Sequence, residues 1–252
     1  MGDVLKYDCH VSEEPTESKV PDSLPKTKVL VLCSGGLDST TLLAQAVEKY
    51  GAEQVVALSV SYGQKHIREL ASAQAVCEHY GVQRHELDLG AIFAQSTCSL
   101  LAASEEEIPH TTYADQQAES QEPVSTYVPF RNGLFLASAA SMALSLDCSA
   151  LIYGAHADDW AGSAYPDCSP AFVQAMNTAI EEGTAHELHI EAPFVHMNKA
   201  DIVRLGLSLG VPYELTWSCY EGGEQPCGEC ATCRDRQAAF EANGITDPLL
   251  TL

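Results

Sequence analysis

Ser34-Gly35-Gly36-Leu37-Asp38-Ser39 sets two glycines between hydroxyl side chains and adds one carboxylate, a composition suited to holding phosphate. Glycines let backbone N–H groups approach an anion without Cβ interference, and Ser34, Ser39 and Thr40 supply further donors. The hexapeptide follows Lys28-Val29-Leu30-Val31-Leu32-Cys33, an unbroken apolar run typical of a buried parallel strand. It leads into Thr40-Thr41-Leu42-Leu43-Ala44, which reads as a helix. Strand, glycine turn and helix N-terminus thus place the positive end of a helix dipole at the same point. A dinucleotide fingerprint needs a third glycine and a Walker A loop ends in Gly-Lys-Ser/Thr, so neither fits.

A second chemical cluster lies near the C-terminus. Cys227, Cys230 and Cys233 form two overlapping Cys-x-x-Cys steps, and Cys219 precedes them across the turn Glu221-Gly222-Gly223-Glu224. Four thiolates around one tetrahedral centre suit Zn²⁺ in a closed structural site. An iron-sulfur cluster accepts the same number, and a redox Cys-x-x-Cys would use only two, so both stay open beside zinc. The other six cysteines (Cys9, Cys33, Cys77, Cys98, Cys148 and Cys168) are scattered and read as reduced thiols.

These residues need a frame. Residues 1–27 carry Pro15, Pro21 and Pro25 among charges without a period, so they read as a flexible tail. From Lys28 the pattern alternates: a helix over Ser39–Tyr50, a strand over Val55–Val60, a helix over Gln64–Tyr80 and a strand over Arg84–Asp88. Residues 104–123 are acidic, polar and patternless, and read as a mobile loop. Next come a helix over Asn132–Leu146, a strand over Leu151–Ala155, a helix opened by Pro170, a short strand closing at Phe194 and a helix over Lys199–Leu209. Alternation of this kind predicts an α/β fold with a doubly wound, mostly parallel sheet and ligands at the carboxyl ends of its strands. Residues 28–215 would form that domain, and residues 216–252 a small metal-binding segment.

Charge narrows the partners. The 252 residues carry 35 acidic and 13 basic side chains, a net charge of −22, which disfavours a broad grip on a polynucleotide backbone. No apolar run reaches membrane-spanning length, and the N-terminus lacks a signal peptide's basic and apolar regions, so a cytoplasmic location is expected.

The run Ser34 to Ser39 resembles the pyrophosphatase loop (PP-loop) of ATP-dependent adenylating enzymes. Four further clusters follow predicted strand ends: Ser61-Tyr62-Gly63-Gln64-Lys65-His66, Val128-Pro129-Phe130-Arg131-Asn132, His156 to Cys168 with Tyr165-Pro166-Asp167-Cys168, and Leu215 to Cys219. With Lys199-Ala200-Asp201-Ile202-Val203, this ordered set resembles the 7-cyano-7-deazaguanine synthase family, QueC, from about Lys28 to the C-terminus.

The resemblance implies a Rossmann-like fold of the adenine nucleotide alpha hydrolase kind with a zinc knuckle. It also implies a homodimer using ATP, Mg²⁺ and Zn²⁺ to convert 7-carboxy-7-deazaguanine and ammonia to a nitrile. Ser34, Gly35, Gly36, Leu37, Asp38, Ser39 and Lys65 would hold the phosphates, and backbone near Ser59 and Val60 the adenine. Tyr62, Gln64, Arg131, Asn132, Tyr165, Asp167 and Trp217 would meet the deazapurine. Asp38, Arg131, Lys199 and Asp158 would carry the chemistry, and Cys219, Cys227, Cys230 and Cys233 the metal. Two departures stand out: many members have glycine where this chain has Phe130 and Ala164, and Phe130 would then reshape a substrate wall. Rival classes are a PP-loop enzyme adenylating a tRNA base, which would be expected to carry a basic face, and a nucleotide-binding module without turnover.

Overall fold

The computed structural model describes residues 28–65, 67–111 and 124–251. The tail over 1–27, His66 and most of the acidic segment lie outside the described residues. Val29–Leu32 (β1) and Val55–Ser61 (β2) are almost wholly apolar, and every β2 residue except the last is buried. Strands covered on both faces require this composition. Gln83–Asp88 (β3) is polar and partly exposed, as suits a sheet edge. Ala150–Ile152 (β4) and His189–Glu191 (β5) complete a five-stranded sheet in the order β3-β2-β1-β4-β5. All its pairings are parallel. The chain winds outward from β1 through β2 to β3 and then returns for β4 and β5. The reversal falls between β1 and β4, where such sheets open a crevice at their carboxyl ends.

The helices are Leu37–Tyr50 (α1), Arg68–Tyr80 (α2), Arg131–Ser145 (α3), Ala157–Trp160 (α4), Pro170–Gly183 (α5), Lys199–Ser208 (α6) and Ala231–Ala242 (α7). Their ends follow local chemistry. Ser169 caps α5 by accepting from the Phe172 N–H, with Pro170 in the first helical position. Asn198 and Asp201 form a reciprocal capping box that starts α6 at Lys199. Alternating strand residues divide the core into two layers. Val31, Ala57 and Ile152 pack beneath α1, α2, α6 and α7 through Leu43, Val76, Ile202 and Phe240. Leu30, Leu58 and Leu151 face α3 and α5 through Leu136 and Ile180.

Four elements differ from expectation, the first being the strand expected to close at Phe194, which ends at Glu191. The helix expected from Gln64 begins at Arg68, because Gln64 pairs across the chain with Leu101 and its side chain accepts from the Tyr62 N–H. The strand expected to reach Ala155 ends at Ile152, opposite the last residue of β5. Helix α7 was not anticipated; Cys230 sits at its N-cap, so the cysteine spacing masks the helical one.

The C-terminal segment is bound into the main core. Arg236 on α7 is buried and forms a fork with Asp247 at 2.6 and 2.8 Å, while also donating to Thr216 Oγ1 and the Tyr213 carbonyl. Removing one partner of a buried pair leaves the other charge uncompensated. Arg236→Ala should therefore cost about 3 kcal/mol in denaturant unfolding, and an unchanged midpoint would show that Asp247 finds another partner.

Candidate active site

The loop after β1 is shaped by a close approach. Gly35 has φ +85°, and a Cβ there would fall 2.3 Å from the Ala73 nitrogen and 2.4 Å from the Glu69 carbonyl oxygen. The first turns of α2 thus press against the loop, and only glycine fits. Ser34 and Ser39 face each other across the turn with their hydroxyls 3.1 Å apart, and the Gly36 N–H donates to Ser34 Oγ. No side chain among the described residues caps α1. The first-turn N–H groups of this fourteen-residue helix therefore remain available to an anion. Thr40 departs from expectation: it is fully buried, so its hydroxyl does not join the cradle.

The loop opens into a cavity of about 240 Å³ at the carboxyl ends of β1, β2 and β4. On one side sits a charge cluster gathered from three strand ends. Asp38 Oδ2 lies 3.3 Å from Lys199 Nζ and 3.5 Å from His156 Nε2, which also lies 3.4 Å from Asp159 Oδ1. Burial pushes Asp38 up, but Lys199 and His156 outweigh it and hold the carboxyl well below its ordinary range. For Lys199 and His156 burial works downward, and the surrounding aspartates more than reverse it. Asp38 Oδ1 and His156 Nδ1 are buried without hydrogen-bond partners among the described residues.

On the other side the wall is aromatic and polar. Arg131 donates to Tyr62 Oη at 3.2 Å and lies over the Tyr62 ring at 5.0 Å, with Phe135 beyond. Glu69 lines the same space, and burial pushes its carboxyl up to about 7, with Arg131 pulling the other way. Tyr165 donates to or accepts from Thr126 at 2.6 Å, and the Asn132 side chain reaches Cys168.

Ser34, Gly36, Leu37, Asp38, Ser39, Val60, Tyr62, Gln64, Arg131, Asn132, Tyr165 and Lys199 all line the cavity. The remaining expected site residues stand behind the wall. Gly35 packs under α2, and Ser59 turns its hydroxyl to the Cys33 carbonyl at 2.7 Å. Lys65 is engaged by the Glu106 carbonyl at 2.5 Å, away from the phosphate cradle. Asp158 accepts from the Lys199 backbone N–H at 2.7 Å, and Asp167 from that of Asn132 at 2.8 Å. Both position the starts of helices that carry lining residues. Trp217 is buried, with its indole donating to the Cys219 carbonyl and its backbone N–H to Gly35.

Cys219, Cys227, Cys230 and Cys233 converge, with all four Sγ atoms within 4.8 Å of one another. Zn–S bonds of about 2.3 Å in a tetrahedron require sulfurs about 3.8 Å apart, so a small contraction closes the site. The Cys227 N–H points at Cys219 Sγ and the Glu229 and Cys230 N–H groups at Cys227 Sγ, donors suited to thiolates. His110, from the early part of the acidic segment, lies between Glu221 and Glu229 and joins that segment to the cysteine turn.

A family model for "Queuosine biosynthesis protein QueC" matches residues 28–244. The chain belongs to the QueC family. Among curated proteins, the 7-cyano-7-deazaguanine synthase of Archaeoglobus fulgidus is 44% identical over 225 residues, covering 89% of this chain and 90% of the relative. Those of Thermoplasma volcanium and Caldicellulosiruptor saccharolyticus are 42% and 43% identical, covering 90% and 88% of this chain and 91% and 94% of their own. A solved NMN synthetase from Francisella tularensis matches with a TM-score of 0.46 and 15% identity, over 87% of this chain and 78% of that one.

Within this QueC chain, Phe130 does not form the substrate wall expected of it. Its ring lies edge-on to Phe172 at 5.9 Å on the outside of the fold, more than half exposed. Its φ of +53° is the left-handed conformation that glycine adopts freely. Two residues at or beside the QueC cavity escaped the sequence reading, Glu69 and Arg68, whose guanidinium lies 4.1 Å over the Trp217 ring, while His156 and Asp159 stood within a strand-end cluster but were given no role of their own. Glu69 and Arg68 sit in the first turn of a helix whose start was misplaced, and His156 and Asp159 gain their meaning only beside Asp38.

Proposed function

We propose that this protein is an ATP-dependent ligase that turns 7-carboxy-7-deazaguanine and ammonia into 7-cyano-7-deazaguanine, the nitrile precursor of queuosine. The observation that carries the reading is one cavity holding both an uncapped PP-loop helix and an arginine set in an aromatic wall. The curated relatives, which are 7-cyano-7-deazaguanine synthases, support it.

In the first half-reaction a carboxylate oxygen bonds to the ATP α-phosphorus and pyrophosphate leaves; ammonia then displaces AMP to give the amide. In the second, the amide oxygen bonds to the α-phosphorus of another ATP and a second pyrophosphate leaves. AMP departs with that oxygen while the nitrogen loses two protons, leaving the nitrile. No protein nucleophile is needed, so the chain's contribution is positioning and charge. Backbone N–H groups at the start of α1 and the hydroxyls of Ser34 and Ser39 hold the pyrophosphate. Lys199 meets its growing charge, and Arg131 orients the acid. Mg²⁺ would neutralise phosphate oxygens, and the unpartnered Asp38 Oδ1 is the lining atom suited to it. Zn²⁺ in the cysteine site would be structural, with no place left for substrate. We place the enzyme in the cytoplasm as a homodimer, acting on small molecules and not on nucleic acid directly. No helix among the described residues is long and apolar enough to cross a membrane.

Incubation of purified protein with ATP, Mg²⁺, ammonium and 7-carboxy-7-deazaguanine should yield the amide and then the nitrile by mass spectrometry, with AMP released at each step. Absence of both products would refute the substrate assignment.

A further inference from the structure

Among the described residues three carboxylates line the cavity, and two of them are committed. Asp38 and Asp159 are drawn into the cluster with His156 and Lys199. The third, Glu69, receives no hydrogen bond and joins no ion pair among the described residues. The amide oxygen of nearby Gln64 is also occupied, by the Tyr62 N–H. Glu69 therefore offers a free pair of acceptor oxygens in this space.

It is also held firmly. The backbone carbonyl of Glu69 lies against Gly35 so closely that a Cβ there would sit 2.4 Å away. The residue is thus pinned at the PP-loop, on the side of the cavity that holds Tyr62 and Arg131. A 2-aminopyrimidin-4-one ring presents two neighbouring donors, the ring N–H and the exocyclic amino group. Such a donor pair calls for two parallel acceptors, and a carboxylate is the side chain with that geometry.

We infer that Glu69 is the specificity-determining residue that accepts the ring N–H and 2-amino group of the deazaguanine, selecting a guanine-like acid over one lacking the amino group. The inference rests on the proposed ligase reading. A neutral carboxyl would offer only one acceptor pair partner in full, and the upward pressure of burial on Glu69 is relieved when two donors arrive.

The test compares 7-carboxy-7-deazaguanine with its analogue lacking the 2-amino group, using the wild-type holoprotein and the Glu69→Gln and Glu69→Ala variants. KM is measured for the acid, ATP and ammonium. The wild-type protein should prefer the amino-bearing acid at least about tenfold in kcat/KM, since an unpaired buried acceptor penalises the analogue. Glu69→Gln should raise the KM for that acid at least about tenfold, shift the KM for ATP less than about twofold, and erase the preference. Equal use of both acids by the wild-type protein would overturn the inference without recourse to any variant. A change confined to the KM for ammonium would also overturn it, assigning Glu69 to the nucleophile. Failure of the wild-type protein to use either acid would instead remove the ligase reading.

Discussion

Lys199→Ala is expected to slow AMP formation about a hundredfold, equivalent to about 2.7 kcal/mol of transition-state stabilisation. With thirteen Lys and Arg residues in a chain at −22, positive charge near the phosphates is scarce. Among the cavity-lining residues the Lys and Arg side chains are those of Lys199 and Arg131, and Lys199 is the one beside the PP-loop carboxylate, 3.3 Å from Asp38. Its loss would also strand Asp38 and Asp159 together around His156. A drop in stability of about 2 kcal/mol should accompany the rate effect, smaller than for a fully buried pair because both partners keep some exposure. Single-turnover measurement of AMP at saturating ATP separates the two effects, and Lys199→Arg should recover most stability. A folded Lys199→Ala protein with the wild-type rate would show that pyrophosphate charge is met elsewhere. Arg131→Ala should slow the same step by at least about tenfold without unfolding the chain.

Cys230→Ser, or metal removal by a strong chelator, should have a larger structural effect. Cys219 and Cys230 are essentially inaccessible to solvent, and the four sulfurs sit within one cluster that includes Trp217 and Tyr62. Structural zinc sites contribute on the order of 10 kcal/mol of apparent binding free energy, which is folding free energy when the site is absent in the unfolded chain. We expect one zinc per chain by elemental analysis, and a Cys230→Ser protein recovered mainly as insoluble material. Iron with acid-labile sulfide, or active protein free of metal, would contradict this. Cys33 and Cys168 carry no such role, and substrate trapped covalently on either would argue against adenylation.

Much of the frame was legible because it depends on local rules. The apolar runs at β1 and β2, the helix starts at Pro170 and Lys199 and the glycine turn at Ser34–Ser39 each carry their signal within a few residues. The cysteine spacing likewise announced a cluster that the fold assembles. What local rules could not show is which residues meet. Lys65 follows a strand as a phosphate ligand would, yet a long-range pairing of Gln64 with Leu101 turns it toward Glu106. Asp158 and Asp159 are neighbours of the same type, and only the placement of α4 sends one to a helix start and the other to the cavity. Glu69 was hidden because its helix begins four residues later than its composition suggests.

The ring of Phe130 also occupies the space over Gly133, where a Cβ would fall 2.4 Å from its edge carbons. The two positions are therefore not independent. A side chain at Gly133 must displace the Phe130 ring from Phe172, whereas a chain with glycine at position 130 would accept it freely. Gly133→Ala should therefore cost more stability with Phe130 in place than in a Phe130→Gly background, where no ring has to move.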